Sequence, residues 1–182
     1  MSIEVAFGSI TYMEVSYLSP KSIKIKSKQA MLLITAAADA IKTPVDAVVV
    51  IGKETTTNFP NEGILFQGPG EYEVKGAKIT GFRVGGGVMY TIVADGMAIF
   101  IGDASSAVQA KDTLHEHDVA ILFADAVLSQ TTMGILNARA LVFVGEKIEE
   151  NAKAFDKQLS SVGKYSVTKD KLPQETEFVF LG

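Results

Sequence analysis

The feature that most constrains this 182-residue chain is a long series of β-strand patterns joined by glycine-rich turns, followed by strands that alternate with helices. Apolar and polar residues alternate over 3–7 and around Ile23 and Ile25, which is typical of strands with one buried face. Continuous apolar runs predict central strands that are covered on both faces. These runs lie at residues 31–35, 47–51, 119–123 and 140–144.

The remaining pattern completes one α/β (α+β) domain over residues 1–182. Further strands are predicted at 10–18, 63–67, 71–74, 77–84, 88–94, 97–101, 165–168 and 177–181, with hairpin turns at 85–87 and 95–96. Helices are predicted at 105–115, with Ser105 or Ser106 as N-cap, and at 152–162, with Gly163 as the stop. A short helix or loop is predicted at 131–137 and a helical turn at 36–41. This order of elements predicts two packed sheets with helices outside.

Composition narrows the class of protein. The net charge of −4 argues against nonspecific nucleic-acid binding, which needs a basic surface. The absence of cysteine excludes disulfides, thiolate zinc sites and a cysteine nucleophile. The chain begins without a secretory signal pattern, and no apolar run approaches the roughly 20 residues that span a bilayer. We therefore expect a cytoplasmic domain without a membrane or nucleic-acid partner.

One stretch carries a family resemblance. The sequence Gly-Pro-Gly-Glu-Tyr-Glu-Val-Lys-Gly at 68–76 resembles a segment of small bacterial hydrolases of the metallo-β-lactamase fold. Ile-Gly-Asp at 101–103, the strand 118–123, and Leu-Pro at 172–173 leading to 177–181 follow in matching order, so that the resemblance covers residues 10–181. It implies a four-layer αββα sandwich with the active site on one rim of the sheets.

The same resemblance identifies the positions at which active relatives hold metal. A His-x-His-x-Asp-His loop follows a strand in those enzymes, and its four donor positions are here Gly52, Glu54, Thr56 and Thr57. Glycines 85–87 replace a loop that carries another histidine, and Gly145, followed by Glu146, replaces the last one. Ala36-Ala37 replaces an Asp-Pro pair. Asp103 alone survives, at the position that would bridge two metals.

A lone carboxylate does not hold catalytic zinc tightly, and without metal no water is acidified for attack. The predicted function is therefore a metal-free, cofactor-free pseudoenzyme that acts as a binding or scaffold module for a protein partner or a second copy. One alternative is a divergent hydrolase of the phosphoester or lactone class, with Asp103, Glu54 and Glu146 holding Mg, Mn or Zn. Another alternative is a structural homo-oligomer subunit.

The other polar motifs favour structural roles. Asp103 is predicted to be a strand-end turn or helix-start residue. His115 and His117, at the end of the predicted helix, should point about 200° apart and face solvent. The glycine clusters predict turns rather than a phosphate loop, and Thr-Thr-Thr at 55–57 predicts a polar loop tip. Lysines at 21, 24, 26 and 28 form the one local basic patch, and those at 24, 26 and 28 share a strand face. The patch predicts a solvated face or a protected sheet edge rather than a nucleic-acid contact.

Overall fold

The structure of the protein, a computed structural model, describes residues 12–37, 41–53 and 62–182. Within these ranges the strands are β1 (Met13–Ser19), β2 (Ser22–Lys26), β3 (Met31–Thr35), β4 (Ala47–Val50), β5 (Ile64–Gln67), β6 (Gly70–Val74), β7 (Ala77–Val84), β8 (Gly87–Ala94), β9 (Met97–Asp103), β10 (Val119–Phe123), β11 (Ala140–Val144), β12 (Ser161–Val162), β13 (Lys164–Val167) and β14 (Glu177–Leu181). The helices are α1 (Ala104–Gln109), α2 (Gln130–Leu136) and α3 (Ile148–Ala154). None of these described helices is long and apolar enough to cross a lipid bilayer.

The strands form two mixed sheets. The six-stranded sheet has the order β13-β1-β2-β3-β4-β5, in which β3, β4 and β5 run parallel and the other pairs are antiparallel. The eight-stranded sheet has the order β12-β14-β11-β10-β9-β8-β7-β6, parallel from β12 to β9 and antiparallel from β9 to β6. Parallel strands end at a common edge, and this arrangement decides where the candidate site lies.

The two sheets pack face to face over the main apolar core. Ile34 and Val49 of the six-stranded sheet and Ile99 and Ile121 of the eight-stranded sheet are fully buried between them. A second core lies on the outer face of the eight-stranded sheet, where the described helices α1, α2 and α3 contribute Ala107, Leu136 and Ala152. Two sheets and this helical layer account for three of the four predicted layers within the described ranges.

The chain passes from one sheet to the other at both sides of the sandwich. On one side, Gly68 and Pro69 connect β5, an edge strand of the smaller sheet, directly to β6, an edge strand of the larger sheet. On the other side, Gly163 alone connects β12 to β13, which are again edge strands of different sheets. The Gly-Pro-Gly segment noted in the sequence is therefore a corner of the sandwich.

Two tyrosines hold this corner. The buried Tyr90 hydroxyl accepts a hydrogen bond from the Gly68 amide (3.1 Å) and donates one to the Gly68 carbonyl (3.2 Å). The Tyr72 hydroxyl approaches the carbonyls of Gly68 (3.1 Å) and Pro69 (3.3 Å). Gly68 adopts φ +109°, a conformation that favours glycine. The glycines of this stretch therefore serve backbone geometry.

Replacing Tyr90 with phenylalanine should lower the free energy of unfolding by about 1 kcal/mol. The partly buried Gly68 amide would lose its partner, and the Gly68 carbonyl would keep only the Tyr72 hydroxyl. Urea unfolding followed by circular dichroism measures the change. Tyr12→Phe, at an exposed tyrosine, is the matched control and should stay within about 0.5 kcal/mol of wild type. Equal stability of Y90F and wild type would contradict the role assigned to the hydroxyl.

The strand predictions that fall on described residues are confirmed, most within one or two residues. The hairpins at 85–87 and 95–96 are also confirmed, since β7 pairs with β8 and β8 with β9 in antiparallel register. The short helix predicted at 131–137 is α2, capped by Ser129. The strand predicted at 3–7 and the loop tip predicted at 55–57 lie outside the described residues. Residues 38–40 of the helical turn predicted at 36–41 also lie outside them.

Two helix predictions are wrong in extent. The helix predicted at 105–115 stops at Gln109, because the Ala110 carbonyl accepts hydrogen bonds from Thr113 and Leu114 and closes a turn. The helix predicted at 152–162 is α3, which ends at Ala154 just before Asp156 in a left-handed conformation (φ +52°). The chain then forms β12 and β13 instead of continuing the helix.

Because α3 ends at Ala154, two residues predicted to lie on the buried face of the helix at 152–162 are not in a helix. Leu159 and Val162 are 37% and 42% exposed rather than buried, and Val162 belongs to β12. Gly163 is the sheet crossing rather than a helix stop. Phe155 does join the core, where its ring lies 6.2 Å from that of Phe143.

The lysine pattern is only partly as predicted. Lys24 and Lys26 do lie on the outer face of β2, opposite the buried Ile23 and Ile25. Because β2 lies between β1 and β3, these lysines do not protect a sheet edge. Lys28 lies beyond the strand, where its amide donates to Asp95 Oδ2 (2.9 Å). A solvated sheet face is the interpretation that the structure supports.

Candidate functional site

The strand ends converge on one rim of the sandwich. In the larger sheet, Asp103 at the end of β9 pairs with Phe123 at the end of β10, and Phe123 pairs with Val144 at the end of β11. In the smaller sheet, the parallel strands β3 and β4 end at Thr35 and Val50. Loops at the carboxyl ends of parallel strands commonly form ligand sites in α/β proteins.

A cavity of about 360 Å³ lies between these strand ends, and we call it the rim cleft. Its first wall comes from the six-stranded sheet and consists of Pro20, Lys21, Ala36, Ile51, Gly52 and Lys53. Its second wall comes from the eight-stranded sheet and consists of Asp103, Ser105, Ser106, Phe123, Ala124, Asp125, Gly145 and Glu146. The cleft thus brings together five of the positions that the family resemblance singled out: Ala36, Gly52, Asp103, Gly145 and Glu146.

Asp103 is the N-cap of α1. Its Oδ1 accepts hydrogen bonds from the Ser106 amide (2.7 Å) and from the Ser105 hydroxyl (2.9 Å). The prediction that Asp103 starts a helix is confirmed, whereas the prediction of Ser105 or Ser106 as N-cap is wrong. The Asp103 carboxylate, three residues before Ser106, accepts a hydrogen bond from the Ser106 amide at the start of α1. Asp103 therefore caps the helix, and neither serine does.

Asp125 belongs to the same polar group, and the sequence analysis did not single it out. Its Oδ1 accepts a hydrogen bond from the Ser105 amide (3.0 Å), and its Oδ2 contacts the Ser105 hydroxyl. Ser105 therefore bridges the two aspartates of the cleft. The sequence could have indicated Asp125, because it comes just after β10, and β10 runs parallel to the neighbouring strand β9 that ends at Asp103.

The two glycines that the family resemblance aligns with metal-donor positions are held by backbone contacts. Gly52 adopts φ +75° and exchanges two 2.8 Å hydrogen bonds with Val88, and a Cβ added there would lie 3.3 Å from Asp103 Oδ2. Gly145 adopts φ +120°, and its Cβ would lie 3.3 Å from the Pro20 carbonyl oxygen. Any side chain at either position would be strained.

The remaining predicted site residues fall into two groups. Ala36 and Glu146 line the cleft, and Glu146 is exposed. Glu54, Thr56 and Thr57 lie outside the described residues. Lys21 and Lys53, which the sequence analysis did not assign to a site, supply the positive charges of the first wall.

The two histidines of the chain lie at the other rim. The amide of Asp118, next to His117, donates to the Ala98 carbonyl near the start of β9 (2.9 Å), whereas the cleft lies at the end of that strand. A strand of seven residues spans roughly 20 Å. Neither histidine can therefore serve the rim cleft.

The predicted environment of these histidines needs correction. They follow a turn instead of ending a helix, and their rings stack with centroids 4.6 Å apart rather than pointing apart. His115 is exposed as predicted, but His117 is only 4% exposed and packs against Phe100. Its Nδ1 lies 2.7 Å from the His115 carbonyl, which can only accept, so that Nδ1 carries the proton. Its Nε2 then accepts from the Thr91 hydroxyl (3.0 Å).

Burial lowers the pKa of His117 below its ordinary value. The folded state therefore binds fewer protons than the unfolded state, and stability present above about pH 6.5 is lost as the pH falls below it. Urea unfolding at pH 8.0 and 5.5 should show lower stability at pH 5.5. His117→Gln should reduce this difference, and His115→Ala should largely retain it. An undiminished pH dependence in H117Q would contradict the assignment to His117.

The described residues do not fit the metal centre of the resembled hydrolases. Zinc in proteins is held by nitrogen, sulfur or oxygen donors about 2 Å from the ion. The chain has no cysteine, both histidines lie at the opposite rim, and the Asp103 and Asp125 carboxylates accept hydrogen bonds from Ser105. No group of three or more histidine, aspartate or glutamate side chains is placed to hold an ion in residues 12–37, 41–53 and 62–182.

Comparison with known proteins identifies the fold. No protein-family model and no curated protein matches the sequence. Among solved structures, a Thermotoga maritima protein classed as a Zn-dependent hydrolase of the metallo-β-lactamase superfamily superposes with a TM-score of 0.72, at 14% identity, over 93% of this chain and 98% of that one. The metallo-β-lactamase fold protein YhfI from Bacillus subtilis gives 0.55 at 12% identity, over 86% and 100% of the two chains.

A Parabacteroides distasonis protein classed as a metal-dependent hydrolase also gives a TM-score of 0.55, at 10% identity, over 92% of this chain and 93% of that one. The chain therefore has a metallo-β-lactamase-like fold, and the fold predicted from the sequence is confirmed. At these identities the likeness extends to the fold alone.

Proposed function

We propose that this protein is a binding module of metallo-β-lactamase fold that works without a catalytic metal, and that the rim cleft is its binding site. The observation that carries the proposal is the chemistry of the cleft. Gly52 and Gly145 stand where the family resemblance expects histidines, and Asp103 is engaged in capping α1. An accessible cavity is retained between these residues.

Elemental mass spectrometry of protein purified without a histidine tag tests the proposal. The expected result is less than about 0.1 equivalent of zinc, manganese or iron, including after incubation with each ion and desalting. Asp103→Asn is the matched variant, because asparagine is also a favoured N-cap and the fold should be retained. Near-stoichiometric metal that disappears in D103N would overturn the proposal.

A metal-dependent hydrolase of the phosphoester or lactone class is the second candidate, because Asp103 and Glu146 line the same cleft, as predicted for it. Asp125 would be a third carboxylate of this site. Ser105 donates to Asp103 Oδ1 and Asp125 Oδ1 and leaves Asp103 Oδ2 open, but no group of three acidic or histidine side chains is placed to hold an ion among the described residues, which argues against this candidate. The metal measurement separates the two candidates.

A protein partner or a second copy of the chain, expected from the sequence, is also part of this proposal. Light scattering on the purified protein at several concentrations distinguishes a monomeric module from a homo-oligomer. A monomer mass near 19.4 kDa at all concentrations would exclude the structural homo-oligomer.

A further inference from the structure

The charges of the rim cleft are separated by wall. Lys21, in the turn between β1 and β2, and Lys53, after β4, stand on the wall of the six-stranded sheet. Asp103, Asp125 and Glu146 stand on the wall of the eight-stranded sheet. The cleft therefore has a positive side and a negative side.

Among the residues that the structure describes, these opposite charges form no ion pair with one another. The salt bridges of the described residues join Lys75 to Asp46, Lys164 to Glu14 and Lys169 to Asp118, and all of these lie away from the cleft. No ion pair between described residues crosses from one wall to the other. Each wall thus keeps charge that a ligand can meet.

The acidic wall offers one carboxylate in particular. Asp103 accepts hydrogen bonds from Ser105 and Ser106, and Asp125 accepts them from the Ser105 amide and hydroxyl. Glu146 is exposed and has no such partner among the described residues. Glu146 therefore has both carboxylate oxygens open to a hydrogen bond from a ligand, whereas Asp103 has only Oδ2 open.

The floor between the charged walls is apolar. Ile51, Phe123 and Ala124 line the cleft and are buried. The volume of about 360 Å³ is near the lower end of the roughly 300–1,000 Å³ of small-molecule sites, so that the ligand is small. A ligand that matches all three features carries a cationic group, an anionic group and an apolar portion between or beside them.

We propose that the rim cleft binds a small zwitterion, a free amino acid or short peptide, with its carboxylate toward Lys21 and Lys53 and its ammonium group toward Glu146. This proposal rests on the metal-free binding function proposed above. The ligand's apolar side chain would contact Phe123 in the floor and the partly exposed Ala36 in the first wall. Charge-assisted hydrogen bonds to both ends would favour the zwitterion over ligands with one charge.

Isothermal titration calorimetry with three probes tests this inference. The probes are the dipeptide alanyl-leucine, its N-acetyl derivative, which lacks the positive charge, and its C-terminal amide, which lacks the negative charge. At low ionic strength the free dipeptide should bind about tenfold more tightly than either derivative. Raising the salt concentration should weaken its binding, because the charges are exposed.

Variants of each wall sharpen the test. The double variant Lys21→Met/Lys53→Met should bind the C-terminal amide and the free dipeptide with equal affinity. It should still bind the N-acetyl derivative more weakly than either. Glu146→Gln should bind the N-acetyl derivative and the free dipeptide with equal affinity, and it should bind the C-terminal amide more weakly than either. Lys78→Met, at a lysine exposed on β7 away from the cleft, is the control and should behave as wild type. All these positions are exposed, so that unchanged thermal unfolding verifies the fold.

The outcomes separate the two proposals. Equal affinity for all three probes, or no binding of any probe by the folded, metal-free protein, would overturn the zwitterion site and leave the metal-free module standing. Stoichiometric metal that depends on Asp103 would overturn the metal-free module itself.

Discussion

Replacing Gly81 with alanine is expected to lower the free energy of unfolding by about 3 kcal/mol, which is a large effect for the addition of one methyl group. A Cβ at Gly81 would lie 2.6 Å from Tyr90 Cε1 and 2.7 Å from the Gly68 carbonyl oxygen. The Tyr90 ring is fully buried, and Gly68 is held by the tyrosine hydroxyls at the sheet corner. Neither neighbour can move aside without breaking these hydrogen bonds.

Urea unfolding followed by circular dichroism measures the effect, and Gly134→Ala is the matched control. Gly134 lies exposed in α2, and a Cβ there would meet nothing within 4 Å. Because alanine has a higher helix propensity than glycine, G134A should be neutral or more stable by up to about 1 kcal/mol. Stability of G81A within about 0.5 kcal/mol of wild type would show that the corner is not packed as described.

Replacing Asn151 with alanine is expected to cost about 3 kcal/mol. Asn151 lies on α3 and is fully buried, and its Oδ1 accepts a hydrogen bond from the Leu128 amide (2.9 Å). Its Nδ2 donates to the carbonyls of Ala126 and Lys147, both at 2.9 Å. Alanine would leave the buried Leu128 amide and the partly buried Ala126 carbonyl without their side-chain partner.

The loop that Asn151 holds follows directly after Asp125 of the rim cleft. N151A should therefore also increase amide hydrogen exchange in residues 125–128, in addition to lowering the unfolding midpoint in urea. Lys153→Ala, two residues further along the same helix and exposed, should change stability by no more than about 0.5 kcal/mol. Unchanged exchange in N151A would indicate that other contacts hold the loop.

Strands were easier to predict from this sequence than helices, for a physical reason. Buried strands such as 119–123 and 140–144 are continuous apolar runs, and their pattern is set by burial on both faces. The helices are short, of six or seven residues, and their ends depend on single contacts. The Thr113 side chain turning back to Ala110, and Asp156 entering the left-handed region, end α1 and α3 without a glycine or proline to announce it.

Of the residues that line the rim cleft, only those next to the end of a recognisable strand could be predicted from the sequence. The family resemblance placed Asp103 and Gly145 in the site, and the recognisable apolar strand before each of them made that alignment possible. Lys21 and Lys53 reach the cleft through the packing of one sheet on the other, and no local pattern reports that packing. The burial of His117 has the same origin, since Thr91 and Phe100 come from strands that precede it in the chain.

The pairing of β1 with β13 has a consequence for how the protein is made. Glu14 on β1 and Lys164 on β13 lie 150 positions apart in the chain, and they form a salt bridge across neighbouring strands. At about 5–20 residues per second, a ribosome needs roughly 10–30 s to synthesise the intervening chain. During that interval one edge of β1 is open to pairing with other nascent chains. Newly synthesised copies are therefore most vulnerable to aggregation in the time before β13 emerges from the ribosome.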